Sequence, residues 1–184
     1  VRFWGSAPIA GGSLVEPRGV AVAPGGGLYV ADAGAGRLVR YAADGSVVLA
    51  WGEPGSAPGQ LELPAGIAVT SDGAVYVADT GNNRIQRFSA SGAFEAQWPA
   101  GGQGDRRYAA PRDVAVGADG TLYVTDPGNH RVEILSADWT LLGQWARRGS
   151  DDGQLEAPAS VAPAADGSAY VLDSDLDRVQ HLAP

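Results

Sequence analysis

The feature that most constrains this chain is a repeat of 47 residues that runs without interruption from one end to the other. Tryptophan marks it at Trp4, Trp51, Trp98 and Trp145. Four further residue types keep the same spacing: Pro17, Pro64, Pro111 and Pro158; Tyr29, Tyr76, Tyr123 and Tyr170; Asp32, Asp79, Asp126 and Asp173; Arg37, Arg84, Arg131 and Arg178. A period in the forties with several short strand patterns per unit is typical of a β-propeller or a related array.

One repeat contains four strand patterns. Between residues 64 and 110, runs rich in Val, Ile, Tyr and Phe are separated by the turn SDG, the loop GNN and the turn SG. Such runs predict consecutive antiparallel hairpins. The first strand of each repeat has small side chains, as in Val20-Ala21-Val22, which suits innermost strands that crowd around one axis. We therefore predict an all-β propeller of four-stranded antiparallel blades.

Each end of the chain carries only part of a repeat, and the two parts together make nearly one full repeat. The chain begins with VRFWG, the pattern of an outermost strand, and ends with RVQHLAP, the pattern of a third strand. We expect a single domain over residues 1–184, with repeats at 17–63, 64–110 and 111–157, and a fourth at 158–184 completed by 1–16. The N-terminal strand would then close the last blade and remove two open sheet edges.

Four segments carry a resemblance to a known family. The sequences VADTGNNRIQRF at 77–88, VTDPGNHRVEIL at 124–135, VADAGAGRLVRY at 30–41 and VLDSDLDRVQHL at 171–182 closely resemble the NHL repeat. The resemblance implies a propeller, usually six-bladed, that binds proteins, ligands or RNA, acts as an extracellular sensor of bacterial receptor kinases, or is a lyase with a metal in the channel. Four repeats are compatible with a small closed monomeric ring, a ring shared by two chains, a piece of a longer propeller, or an engineered molecule.

Composition narrows the setting. The net charge of −8 disfavours nucleic acid as a partner, because attraction to phosphate supplies most non-specific affinity. All 13 basic residues are Arg and cysteine is absent, which suggests a bacterial protein without a disulfide framework. The sequence has no stretch of eighteen apolar residues, so membrane insertion by this chain is not predicted. We expect an extracytoplasmic or secreted domain of a bacterial protein, and no cofactor is predicted.

The Asp–Arg pair of each repeat is interpreted as structural. Asp32 and Arg37, with their counterparts in the other repeats, bracket the loop between the second and third strands. Each pair can staple its own hairpin while the Asp accepts loop N–H groups. A catalytic group is needed once, whereas every blade needs its turn. Fourfold repetition therefore indicates a structural role for these residues and for the tryptophans.

Candidate binding residues lie where the repeats differ. The residues after each Pro should ring one mouth of the channel: Arg18-Gly19, Ala65-Gly66, Arg112-Asp113 and Ala159-Ser160. The loops with Asn82, Asn83, Asn129 and His130 should lie beside them. Because Arg18, Arg112 and Asp113 break the repeat symmetry, we predict a binding site there for a protein, a peptide or a small anionic ligand. The simpler interpretation is that these side chains only solvate the channel. The group Arg106, Arg107 and Tyr108 is a second candidate for phosphate or carboxylate.

The sequence offers little for metal binding or catalysis. Asp173, Asp175 and Asp177 alternate as at the start of a calcium loop, but the downstream Gly and Glu of that loop are absent. His130 and the second histidine stand at unrelated repeat positions, so a three-histidine centre is not available. The sequence favours a non-enzymatic binding or scaffold propeller with no catalytic residues. The alternatives are a metal-dependent lyase or lactonase with a channel-bound divalent ion, and an engineered or reconstructed propeller without an evolved ligand.

Overall fold

Fifteen β-strands form four antiparallel sheets, one for each repeat, in a computed structural model that describes residues 12–98 and 107–183. The strands of blade 1 are β1 (Pro17–Val22), β2 (Leu28–Asp32), β3 (Arg37–Tyr41) and β4 (Val47–Trp51). Those of blade 2 are β5 (Pro64–Val69), β6 (Val75–Asp79), β7 (Arg84–Phe88) and β8 (Phe94–Trp98). Blade 3 contains β9 (Asp113–Val116), β10 (Leu122–Asp126), β11 (Arg131–Leu135) and β12 (Leu141–Trp145). Blade 4 contains β13 (Pro158–Pro163), β14 (Ala169–Asp173) and β15 (Arg178–Leu182).

The sheet order confirms the predicted all-β propeller. Within each sheet, consecutive strands are neighbours, and the first strand of each blade packs against the first strand of the next. The fourth strand predicted for blade 4 falls on residues 1–11, which lie outside the described part of the chain, as does Trp4. No helix within residues 12–98 and 107–183 is long and apolar enough to span a membrane.

The predicted hairpin loops follow from their residues. In blade 2, Gly73 has φ of 89° and donates its N–H to the carbonyl of Thr70 at 2.9 Å, which closes a tight turn. The loop between the second and third strands is one turn of 3₁₀ helix, for example Thr80–Asn82. It ends at a left-handed residue, which is Gly36, Asn83 or His130 in the first three blades. Gly and Asn tolerate that conformation best.

The buried Asp–Arg pairs clamp the connection that precedes each blade. In blade 2, Arg84 Nε lies 2.7 Å from Asp79 Oδ2, and Asp79 Oδ1 accepts the N–H of Glu62 at 2.7 Å. The other guanidinium nitrogens of Arg84 donate to backbone carbonyls of the same incoming connection: Ser56, Ala57 and Gln60. The pair therefore attaches its hairpin to the incoming chain, whereas the sequence predicted bonds within the hairpin loop alone.

The fourth repeat corrects the predicted pairing. Both carboxylate oxygens of Asp173 accept backbone N–H groups, from Glu156 and Ala157, each at 2.8 Å. Arg178 uses its terminal nitrogens for backbone carbonyls, and its Nε has no partner among the described residues. In this repeat the N–H of Glu156 binds Oδ2, the oxygen that accepts the arginine Nε in the first three repeats, and the Asp173–Arg178 bond is not formed. Pairs in the first and third repeats are formed, with Nε to Oδ2 distances of 2.8 and 2.9 Å.

Hydrophobic cores lie between successive blades. The core between blades 1 and 2 includes Tyr29, Leu38 and Leu61 from one side and Val77 and Phe88 from the other. Three of the repeat tryptophans, Trp51, Trp98 and Trp145, are partly buried at these interfaces. Trp51 contacts Phe88 with ring centroids 6.2 Å apart, Trp98 stacks on Trp139 of blade 3 at 3.9 Å, and Trp145 donates its Nε1–H to the carbonyl of Ala183.

Candidate functional site

A cavity of about 860 Å³ lies where the innermost strands of the four blades meet. It is lined by the eight residues that follow the repeat prolines: Arg18, Gly19, Ala65, Gly66, Arg112, Asp113, Ala159 and Ser160. Additional lining residues are Val20, Ile67, Thr80, Ala110 and Pro127. One cavity thus receives equivalent residues from all four repeats, and this volume is typical of pockets for small molecules or peptide segments.

Glycine allows the inner strands to approach closely at this mouth. The N–H of Gly66 in blade 2 donates to the carbonyl of Arg112 in blade 3 at 2.9 Å. A Cβ on Gly66 would lie 2.5 Å from the Cα of Asp113, which no larger residue can accommodate without movement of the backbone. The close approach places Arg112 and Asp113 at the edge of the cavity.

Asp113 ties blade 3 to blade 4. Its Oδ2 accepts the hydroxyl of Ser160 at 2.6 Å and the N–H of Val161 at 3.1 Å. Burial raises the pKa of the Asp113 carboxyl above its ordinary value, while these two bonds and the Arg112 guanidinium oppose that effect. Its own N–H donates to the hydroxyl of Thr125 at 2.9 Å.

Arg18 and Arg112 supply the positive charge at the mouth. Both side chains are exposed. Arg18 has only a long contact with the exposed Glu16, 3.9 Å between Nη2 and Oε2. The Arg112 side chain has no hydrogen bond to a residue within 12–98 or 107–183. Guanidinium groups that are not engaged in strong protein contacts can donate two parallel hydrogen bonds to a carboxylate or phosphate.

The four loop residues predicted beside the mouth do not line the cavity; they hold connections in place. Asn83 Oδ1 accepts the N–H of Ala110 at 2.7 Å, and Asn129 Nδ2 donates to the carbonyl of Arg107 at 2.7 Å. Asn82 Nδ2 donates to the carbonyl of Gly55, and His130 Nδ1 lies 2.5 Å from the carbonyl of Glu156. Each side chain points to backbone of an incoming connection, which explains why the lining residues of these loops are Thr80 and Pro127 instead.

The second candidate group separates in the structure. Arg106 lies outside the described residues, and Arg107 is exposed. Tyr108 is buried in the core between blades 2 and 3, and that burial raises the pKa of its hydroxyl well above the ordinary value. The repeat phase explains this burial, because Tyr108 occupies the position of Leu61 and Leu155, which are also buried. The aromatic ring is therefore part of the core and does not form a surface site with the arginines.

The acidic stretch in the fourth repeat is a turn. Asp173 is buried and bound to backbone N–H groups, whereas Asp175 and Asp177 are exposed, and Asp177 has φ of 48°. Within residues 12–98 and 107–183 there is no group of three or more His, Asp or Glu side chains placed to hold a metal ion.

The NHL repeat family matches residues 14–41, 61–88 and 109–135, each of which spans the end of the incoming connection and the first three strands of a blade. Each match contains the Asp–Arg pair of its blade. Three of the four blades are therefore NHL repeats.

Solved structures with a similar fold include enzymes. A streptogramin B lyase has a TM-score of 0.72 and 18% identity, over 97% of this chain and 53% of that one. A catalytically inactive virginiamycin B lyase from Staphylococcus aureus with quinupristin has a TM-score of 0.69 and 17% identity, over 91% of this chain and 52% of that one. Hydrazine synthase from Kuenenia stuttgartiensis has a TM-score of 0.65 and 16% identity, over 92% of this chain and 50% of that one. The chain spans about half the length of these structures, and at such identity the likeness is one of fold. No curated protein matches the sequence significantly.

Proposed function

Because this chain is an NHL-repeat β-propeller, we propose that it is a non-enzymatic binding module whose channel mouth holds an anionic group of a peptide, a protein or a small ligand. The supporting observation is the cavity that receives Arg18 and Arg112 from two different blades. The chain as a whole carries a net charge of −8, so a pair of arginines at the mouth is a local positive charge on a molecule that is negative overall. An anion entering the mouth would meet two guanidinium groups.

The geometry supports binding more than catalysis. The one carboxyl in the cavity wall, Asp113, already accepts bonds from Ser160 and Val161. A general base must reach the proton that it removes and needs a partner that completes the reaction centre. The cavity lining residues include no histidine, and the lyase structures are related to this chain by fold alone. The expected setting, an extracytoplasmic part of a bacterial protein, belongs to the same proposal and is supported by composition alone.

A double substitution tests the proposal. We expect sulfate, citrate and an acidic peptide to raise the thermal midpoint of the chain in a saturable way, and titration calorimetry to give the affinity. Arg18→Ala with Arg112→Ala should weaken binding of the best probe by about tenfold or more for each arginine, because a charged hydrogen bond contributes about 1.5–3 kcal/mol.

The matched control removes the same charge elsewhere. Arg147 and Arg148 are exposed and do not line the cavity, so Arg147→Ala with Arg148→Ala should leave the affinity within about twofold at moderate salt. Equal losses in both double variants would indicate a general charge effect and would contradict a site at the mouth. Unchanged thermal stability of the unliganded variants shows that the fold is retained.

A further inference from the structure

The two end blades expose apolar residues whose repeat equivalents are buried in the other blades. We call the side of a blade that packs on the preceding blade its leading face, and the side that packs on the following blade its trailing face. Blades 1 and 2, 2 and 3, and 3 and 4 each bury one trailing face against one leading face. The leading face of blade 1 and the trailing face of blade 4 have no such partner blade within the described residues. On blade 1 the exposed part is the inner strand, because Val30, Val39 and Tyr41 farther out are buried in a cluster that includes Leu14.

Equivalent residues show the difference on the leading face. Ile67, Val114 and Val161 are 6%, 2% and 5% exposed on blades 2, 3 and 4. Val20, at the same repeat position on blade 1, is 64% exposed, and Val22 on the same strand is 73% exposed. The inner strand of blade 1 therefore presents to solvent the side chains that its counterparts bury.

The trailing face of blade 4 shows the same contrast. Tyr29, Tyr76 and Tyr123 are 1%, 2% and 3% exposed, whereas the equivalent Tyr170 is 51% exposed. Leu172 and Val179 on the same face are 44% and 61% exposed. The imidazole of His181 stacks on Tyr170 with centroids 4.6 Å apart, which leaves an apolar and aromatic surface on this side. Contiguous exposed apolar surface of this kind marks an interaction site.

We propose that these two faces bind a second copy of this chain head to tail, so that blade 4 of each copy packs on blade 1 of the other. Each face is the repeat equivalent of a surface that already has a partner in the chain, and a trailing face packs on a leading face at all three internal interfaces. A second copy presents the leading face of blade 1 that the trailing face of blade 4 lacks.

The size of related rings supports two copies. This chain spans 53%, 52% and 50% of three solved structures with the same fold, so two copies match the length of one such chain. A head-to-tail contact closes into a ring when its rotation permits and otherwise extends as a filament. Two copies with four blades each leave no leading or trailing face exposed.

The mass of the purified chain in solution tests the proposal. Native mass spectrometry and light scattering should give twice 18.8 kDa. Val22→Glu, on the leading face, and Leu172→Arg, on the trailing face, should each weaken association by about tenfold or more, because each buries an unpaired charge. Val48→Glu is the matched control, since Val48 is 51% exposed on the outer strand of blade 1, away from the inner strand that carries Val20 and Val22.

Mixing the two variants separates head-to-tail from face-to-face association. In a mixed pair, one of the two contacts is unmodified on both sides, so an equimolar mixture of Val22→Glu and Leu172→Arg should recover the dimer mass. The proposal is overturned by a wild-type monomer at high micromolar concentration, by a ladder of larger species, or by variants that dimerise as well as Val48→Glu. Circular dichroism melting of each variant confirms that a change in mass is not caused by unfolding.

Discussion

Asp113 occupies the position held by Gly19, Gly66 and Ser160 in the other repeats, and it is the residue that gives the mouth a titratable group. Burial raises the pKa of its carboxyl, so the carboxyl takes up a proton at a higher pH than an ordinary Asp does. Protonation removes a negative charge next to the Arg112 guanidinium, which should strengthen the binding of an anion.

At the residue scale we therefore predict that sulfate binds more tightly at low pH. Sulfate stays ionised over the range in which a carboxyl takes up its proton. Its affinity should therefore rise by about fivefold as the pH falls through the titration of Asp113, the size of one charge interaction at short range in water. The Asp113→Asn variant should bind tightly across the whole range and lose the pH dependence. Titration calorimetry at several pH values measures both, and a pH dependence that persists in Asp113→Asn would assign it to another group.

At the element scale, the Asp–Arg clamp decides how firmly each hairpin holds its incoming connection. Asp79→Asn should lower the free energy of unfolding by about 3–5 kcal/mol, because it leaves the buried Arg84 guanidinium without its counter-charge. Asp173→Asn should cost less, about 1–2 kcal/mol, because Asp173 binds only backbone N–H groups and has no Arg partner among the described residues. Urea denaturation compares the two variants, and equal losses would show that the ion pair contributes little.

At the scale of the whole molecule, the strand order predicts the place of the N-terminal segment. The strand that precedes each inner strand in sequence lies at the outer edge of the previous blade, as β4 does before β5. Residues 1–5 are in phase with β4, so we expect them to pair with the open edge of a β15 strand, although they lie outside the described residues. In the head-to-tail pair, the same order places them on β15 of the second copy.

Deletion of residues 1–5 tests that placement. The deletion should uncover the edge of β15, lower the thermal midpoint and increase light scattering on heating, because an open strand edge promotes pairing with other chains. A full-length chain with Phe3→Pro is the companion variant, since proline removes a backbone donor from a strand without changing the length. A deletion variant that melts like the wild type without extra scattering would contradict the pairing.

How much of the site the sequence predicted depends on the kind of residue. The position of the mouth was predictable, because the residues after each repeat proline begin the innermost strands and must face the axis. The roles of Asn83 and His130 were not, because a side chain in a loop points toward whichever backbone group folds next to it, here Ala110 and Glu156. The burial of Tyr108 could have been predicted from its repeat phase with Leu61 and Leu155.

The sequence by itself determined the blade: its four strands, its turns and the residues of its clamp all follow from local spacing, which a repeat of 47 residues records several times. Only the tertiary structure decided which atoms the clamp binds and which faces are left exposed. The bonds of Asp79 and Arg84 reach residues 17 to 28 positions away. The exposure of Val20 and Tyr170 depends on whether another blade packs there, and no pattern within one repeat distinguishes an end blade from an internal one.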